Sequence, residues 1–344
     1  MASEVIKFPP LPLARVVPPS SPRPPSSQSP SPIQLQQIVR AGLRSPAVTV
    51  RKIQISGVVP CRTYCLHISD GTSLTLRTIS NCSTRLLRHE RDSVAAEIEV
   101  LCLLQSRHKR RMISPSVVSI GEEQGSLCPF LLSTSLNGRT LADVNPSLSA
   151  TQRGTVLISV GVYYRQLSSI TSKAFGTAVQ VSAGKGKQSW KDAFISLIID
   201  MLCDAEDMLV SLPYDSIRNS VCDHGDVLDE LVEPRLVIFN AADCENVLVD
   251  ERTQQITGLR HYSHAVWGDP LMIEIFENPP RAFLTGFGWR LEASIAARKR
   301  QLLYTIYRAS IKVITNYARP ENDGKELVAR RQLSLALAQL AECR

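Results

Sequence analysis

The sequence predicts an α+β chain of two lobes, a small antiparallel sheet followed by a larger, mainly helical part. Three observations carry this. Segments that alternate or run in β-branched residues crowd the stretch from Val48 to Ser133. Apolar residues spaced three and four apart fill most of the chain beyond Asn137. A single apolar island, Leu236 to Leu259, interrupts that helical half.

Residues 1 to 32 hold ten of the 21 prolines, interleaved with serine as in Pro18-Pro19-Ser20-Ser21-Pro22. Proline withholds backbone donors, and too few apolar side chains are present to offset the entropy of ordering, so the stretch reads as a disordered tail. It either keeps the chain soluble or offers a polyproline II ligand to a protein partner of the SH3 type. From Ile33 to Leu43 a short helix leads in, so residues 1–46 form tail and lead-in.

Strands come next at Val48 to Ile55, Tyr64 to Ile68 and Ser73 to Ile79, the last two joined by Ser69-Asp70-Gly71-Thr72, where Asp-Gly supplies the positive φ of a tight hairpin. A helix is expected over 83–105 from Leu86, Leu87, Val94, Ile98, Leu101 and Leu104, and strands over 117–120 and 129–133. Residues 47–135 thus make the first lobe. Helical patterns then occupy 151–171, 189–210, 214–232, 291–316 and 325–342, so 136–344 make the second lobe, with the β island at 235–270. That island reads as paired short strands that hold a loop at the lobe junction.

The chain has 344 residues, 44% of them apolar, enough for a substantial core. The apolar run from Phe194 to Leu202 carries Asp200 and falls far short of the ~20 residues that cross a bilayer. Glu4, Pro9 and Pro10 break the plan of a secretory signal, so the expected compartment is the cytoplasm. Nine cysteines without a C-x-x-C pair indicate neither a disulfide framework nor a zinc site. The net charge of +7 sits partly in Arg107-His108-Lys109-Arg110-Arg111 and Arg298-Lys299-Arg300; these read as solvated faces or C-terminal ends of helices, not as a nucleic-acid interface.

Local motifs add to this layout. They are Ser83 to Arg91, Glu233-Pro234-Arg235-Leu236-Val237, Asn246-Val247-Leu248-Val249-Asp250, Ile256-Thr257-Gly258, Ala265-Val266-Trp267-Gly268-Asp269-Pro270-Leu271-Met272 and Leu302-Leu303-Tyr304. In these pieces, and in their order across residues 50 to 340, the chain resembles the aminoglycoside phosphotransferase/choline kinase-like family, above all its fungal branch. The resemblance implies a protein-kinase-like two-lobed fold, a nucleotide or small-molecule ligand at the lobe junction, and ATP with Mg2+ as cofactors of an active member.

Phosphoryl transfer needs a cation on the phosphates, metal-holding oxygens and a proton acceptor. The resemblance places the cation of the third strand at Arg77 and its partner at Glu97 of the following helix. A guanidinium prefers bidentate partners, so Arg77 is expected to hold Glu97 instead of reaching phosphate. The phosphate-covering loop corresponds to Ser56-Gly57-Val58-Val59-Pro60, which reads better as a hairpin connection. The family's His-x-Asp-x-x-x-x-Asn loop places its metal-binding Asn at Asn246. Its proton-accepting Asp falls on Ala241, or on Asn240 with one residue inserted, and Asp243 is the nearby acid. The second metal position falls on His261 in Leu259-Arg260-His261-Tyr262-Ser263-His264, where relatives carry Asp. Mg2+ prefers oxygen ligands, so a nucleotide-metal complex is poorly anchored there. His224-Gly225-Asp226 matches the family triplet literally, but residue 231 is Leu, and the triplet reads as coincidence.

Two functions are expected. In the first, the chain is a pseudokinase that binds a partner, nucleotide or metabolite, in a fungal biosynthetic setting. In the second, it is an active small-molecule phosphotransferase with a rebuilt site using Asp243, Asn246 and Glu245. The acceptor pocket is expected beside the loop Val181 to Trp190.

Overall fold

The structure is a computed structural model and describes residues 30–57, 61–79, 86–106, 113–121, 129–240, 242–288, 294–320 and 323–343. The proline-rich tail up to residue 29, the basic cluster 107–111, most of the loop after Gly57 and Ala241 lie outside the described residues.

Helix α1 (Pro32–Leu43) begins where Ser31 can cap it. The Ser31 hydroxyl accepts the Gln34 N–H at 3.3 Å while Gln34 Oε1 accepts the Ser31 N–H at 2.8 Å, a reciprocal cap of the kind worth ~1 kcal/mol. One turn apart, Leu35 and Val39 face Tyr64, Leu66, Leu74, Leu76 and Leu132 of the sheet beneath. That sheet holds five antiparallel strands, β1 (Val50–Ser56), β2 (Cys61–Ile68), β3 (Ser73–Ile79), β4 (Val117–Gly121) and β5 (Phe130–Thr134), in the order β1-β2-β3-β5-β4. At the β2–β3 turn Gly71 takes φ +87°, and Asp70 Oδ1 accepts from both the N–H and the hydroxyl of Thr72.

The helix expected over 83–105 is two helices, α2 (Arg88–Arg91) and α3 (Ser93–Ser106). Glu90 explains the break. Its carboxylate accepts the Leu87 N–H at 2.9 Å and forms a buried ion pair with Arg319, which fixes α2 apart from α3.

The second lobe comprises α4 (Leu141–Val144), α5 (Ala150–Ser168), α6 (Ala178–Ser182), α7 (Trp190–Asp207), α8 (Tyr214–His224), α9 (Arg281–Phe287), α10 (Ile295–Ala318) and α11 (Asp323–Glu342). Helix α9 lies directly on α5. A Cβ at Gly161 would stand 2.2 Å from the Phe283 carbonyl oxygen, and one at Gly286 would stand 2.0 Å from that of Ile158. The approach lets Phe276, Phe283 and Phe287 close on one another and on Tyr164. Helix α11 buries Ala329, Leu333, Ala336 and Leu340, a stripe of helical period.

The β island is arranged otherwise than its sequence suggests. Strands β9 (Val247–Asp250) and β10 (Gln255–Leu259) do pair around the turn at Asp250 to Gln254, with β6 (Arg139–Thr140) on the far side of β9. Strand β8 (Arg235–Ile238) pairs instead with β11 (Ala265–Gly268), which in turn pairs with β7 (Gly176–Thr177). The loop after β8 therefore crosses from one small sheet to another.

Two further expectations change. The helix expected over 214–232 ends at His224, and His224-Gly225-Asp226 forms its end and the start of a 3-10 turn, where Asp226 pairs with Lys191. In the basic cluster on α10, Arg300 is not a solvated cation: it is 15% exposed and is paired with Glu230 and Asp269 near the start of the helix. Among the described residues no helix is long and apolar enough to cross a membrane.

Candidate active site

Register puts Arg77 in the middle of β3, opposite Thr63 of β2 and Leu131 of β5, with its side chain 7% exposed. There it forms an ion pair with Glu97 of α3. The other oxygen of Glu97 accepts the Tyr262 N–H at 3.1 Å. Burial pushes the Glu97 carboxyl up, against the Arg77 charge and the Tyr262 amide, which pull it down. Arg77 thus spends its charge on a carboxylate inside the protein, as the guanidinium preference predicts.

Asn246 ends the loop after β8 and is buried. Its Nδ2 donates to the carbonyls of Asn240 at 3.0 Å and His261 at 3.1 Å, and its Oδ1 accepts the His261 N–H at 2.8 Å. One side-chain amide ties the start of the loop to the segment after β10. Both amide protons and one oxygen lone-pair direction are occupied by backbone.

Asn240 is exposed at the start of the same loop, and its carbonyl also accepts the Asp243 N–H at 3.2 Å. Asp243 is exposed as well. Its Oδ1 accepts the Glu245 N–H at 3.0 Å, an Asx turn that tightens the chain into Asn246. Asn240 and Asp243 therefore stand together on a tight loop, but the Asp243 carboxylate is folded onto its own backbone.

His261 lies just beyond β10. Burial, then the Arg77 charge, lower its imidazole to about 2, so the ring is neutral. Its Nδ1 is buried and has no hydrogen-bond partner among the described residues. The Arg77 Nε is in the same condition. Two residues on, Ser263 is buried; His264 adopts φ +58° and packs its ring 5.3 Å from that of His89. Both imidazoles are held neutral, His264 at about 3 by burial and the neighbouring His89, and His89 at about 4 by burial and Arg319.

Mg2+ asks for an octahedron of oxygens. Two oxygens of the loop are already engaged, Asn246 Oδ1 by the His261 N–H and Asp243 Oδ1 by the Glu245 N–H, and position 261 offers a ring nitrogen in place of an oxygen. Among the described residues no three His, Cys, Asp or Glu side chains converge on one point. With imidazole nitrogen at position 261, the donor set is a poor one for this ion.

A cavity of about 400 Å³ opens beside the loop, bounded by α2, α7, α10 and the strand ends at Asn240 and His264. Thr177, Val179 and Gln180 border it, just ahead of the loop from Val181 to Trp190. Tyr163, whose hydroxyl meets that of Tyr262 at 2.7 Å, and the Glu90–Arg319 pair escaped sequence reasoning, since each partner lies far along the chain from the other.

Taken with the sheet order and the helical second lobe, this arrangement defines the chain as protein-kinase-like in fold. No family model matches the sequence, and no curated protein does. Solved structures with the same fold include an aminoglycoside 2'-phosphotransferase-IIIa variant in complex with GDP, 16% identical with a TM-score of 0.56, covering 91% of this chain and 97% of that one. A streptomycin–ATP ternary complex of APH(2'')-IIa is 15% identical at TM-score 0.55, covering 90% and 95%. The macrolide 2'-phosphotransferase MphH from Brachybacterium faecium is 14% identical at TM-score 0.51, covering 87% and 96%.

Proposed function

We propose that the chain is a pseudokinase, a kinase-like protein that keeps a ligand-binding cleft between its lobes and has lost phosphoryl transfer. The observation that carries this reading is the state of the loop after β8. The position of the proton acceptor is taken by Asn240 or Ala241, and Asp243 directs its carboxylate to the Glu245 N–H. The usual position of the base thus carries no carboxylate, and the acids left on the loop, Asp243 and Glu245, stand elsewhere on it; loss of a placed base costs several orders of magnitude in rate. Two of the neighbours in fold are complexes with GDP or ATP, which supports a nucleotide in the cleft. The likeness of the motifs to fungal relatives supports a setting in fungal secondary metabolism, where the protein acts as an accessory binding component.

The test is turnover. The purified chain is incubated with ATP, with Mg2+ or Mn2+ and with panels of hydroxylated acceptors, and ADP release is followed. Background-level release is expected; robust acceptor-dependent release that vanishes in Asp243→Asn would establish the rebuilt phosphotransferase instead.

A further inference from the structure

The cavity beside the loop carries a second inference, which rests on the reading of the chain as a protein that keeps its ligand-binding cleft. We infer that this cavity takes an organic monoamine, its ammonium on Asp200 and its apolar body against Phe239, Leu197 and Met201.

Two helices supply most of the wall. Leu197, Asp200, Met201 and Asp204, spaced three and four apart, present one face of α7, and Tyr307, Ile311 and Thr315 present one face of α10. About 400 Å³ is room for a small organic molecule.

Nearly every charge on this wall is matched within the protein. Each Lys or Arg that borders the cavity has its own carboxylate: Arg88 pairs with Asp204 and Asp207, Arg308 with Glu277, Lys312 with Glu274 and Arg319 with Glu90. The imidazoles of His89 and His264 are neutral. Among the described residues, the bordering carboxylates left without an ion pair are Asp92, which is exposed, and Asp200, which is half-buried. Tyr307 is a second, independent sign of a ligand. It is 4% exposed and borders the same cavity, yet its hydroxyl has no hydrogen-bond partner among the described residues. Its ring stands 5.9 Å from that of Phe239.

These features select the ligand's charge. An anion meets Asp200 with no cation left to answer it, and a neutral molecule leaves that carboxylate half-buried and uncompensated. Burial already pushes the Asp200 carboxyl up, against the charges of Arg88 and Arg91, and an ammonium beside it offsets that cost. One positive charge fits better than several, because Leu197, Met201, Phe239 and Ile311 offer a second ammonium no counter-charge.

NMR titration of the full chain with phenethylamine, phenethyl alcohol, phenylacetate and gentamicin tests this. The monoamine is expected to bind at least about tenfold tighter than the alcohol, the acid or the polyamine. Asp200→Asn, checked for folding by thermal unfolding, is expected to weaken the amine about tenfold and leave the alcohol within about twofold; Tyr307→Phe weakens the amine about threefold. The inference is overturned by equal binding of amine and alcohol, by gentamicin binding tighter than the monoamine, or by no binding of phenethylamine. A folded Asp200→Asn variant that holds the amine like wild type also overturns it. The comparison of ligands on the wild type decides the matter even where a variant fails to fold. None of these outcomes reports turnover, so the loss of phosphoryl transfer stands or falls on its own test.

Discussion

Tyr163 and Tyr262 hold their hydroxyl oxygens 2.7 Å apart in the interior, and both reach the carbonyl of Ile113, Tyr163 at 2.8 Å and Tyr262 at 3.4 Å. This knot joins α5 to the segment after β10 and to the approach to β4. Each hydroxyl finds its partner in the other, so neither is idle when buried.

Breaking that knot should weaken the fold. Tyr163→Phe and Tyr262→Phe are each expected to destabilise the chain by about 1 kcal/mol, because each leaves the opposite hydroxyl with poorer bonds. The double variant should lose less than the sum, which urea denaturation of all four proteins would read. Strict additivity would show that the hydroxyls do not depend on one another.

Glu90 and Arg319 supply the second prediction. The side chains are 4% and 10% exposed, and the carboxylate also holds the Leu87 N–H. Arg319→Ala leaves a buried carboxylate with its cation removed and is expected to cost about 3–5 kcal/mol, with Glu90→Ala similar. Replacing both, as Glu90→Gln with Arg319→Met, should recover a large part. Equilibrium unfolding measures this, and an Arg319→Ala loss below about 1 kcal/mol would sink the idea that the pair secures α2 to the end of α10.

Acid should act through the neutral imidazoles. In the unfolded chain His89 and His264 titrate near 6.5, whereas in the folded chain they resist protonation down to about 4 and about 3. The unfolded state therefore binds more protons between pH 6.5 and 4. Their contribution is full above pH 6.5 and is lost on acidification, at up to about 1.4 kcal/mol per pH unit for each ring. Glu97 and Asp269, both shifted up by burial, act with the opposite sign, so a difference measurement is needed. Since His264 sits at φ +58°, His264→Asn suits its backbone, and the stability gap between wild type and this variant is expected to narrow as the pH falls. Parallel curves between pH 7 and pH 5 would argue against it.

Helix contact gives the fourth prediction. Gly286→Ala drives a methyl into the Ile158 carbonyl and forces α9 off α5. A loss of about 3 kcal/mol or more, with the Phe276–Phe283–Phe287 cluster loosened in near-ultraviolet circular dichroism, is expected. Gly154→Ala on the same α5, where a Cβ meets nothing within 4 Å, is the control and should be neutral or slightly stabilising.

The sheet lobe was legible because its strands alternate and its hairpin carries Asp70-Gly71, signals confined to a few consecutive residues. The Arg77–Glu97 pair was legible through the resemblance, which sets a cation of the third strand against an acid of the following helix; guanidinium chemistry added only that the two would hold each other. Strand partners within the island were not. Val237 and Val249 are equally apolar and β-branched, and only the path of the chain sends β8 to Val266 and β9 to Ile256. The role of Asn246 was hidden as well, since an asparagine's partners here are backbone groups that any sequence supplies. The two small sheets and the Tyr163–Tyr262 contact arise from assembly, where distant segments meet, and leave no local trace.

Glu97 divides its two oxygens between a strand of one lobe and the backbone beyond β10 in the other. One carboxylate thus grips the helix from both sides. Swinging it outward would strand Arg77 and the Tyr262 amide at once. The two contacts oppose an outward movement of α3, and a partner or ligand that required that movement would have to replace both of them.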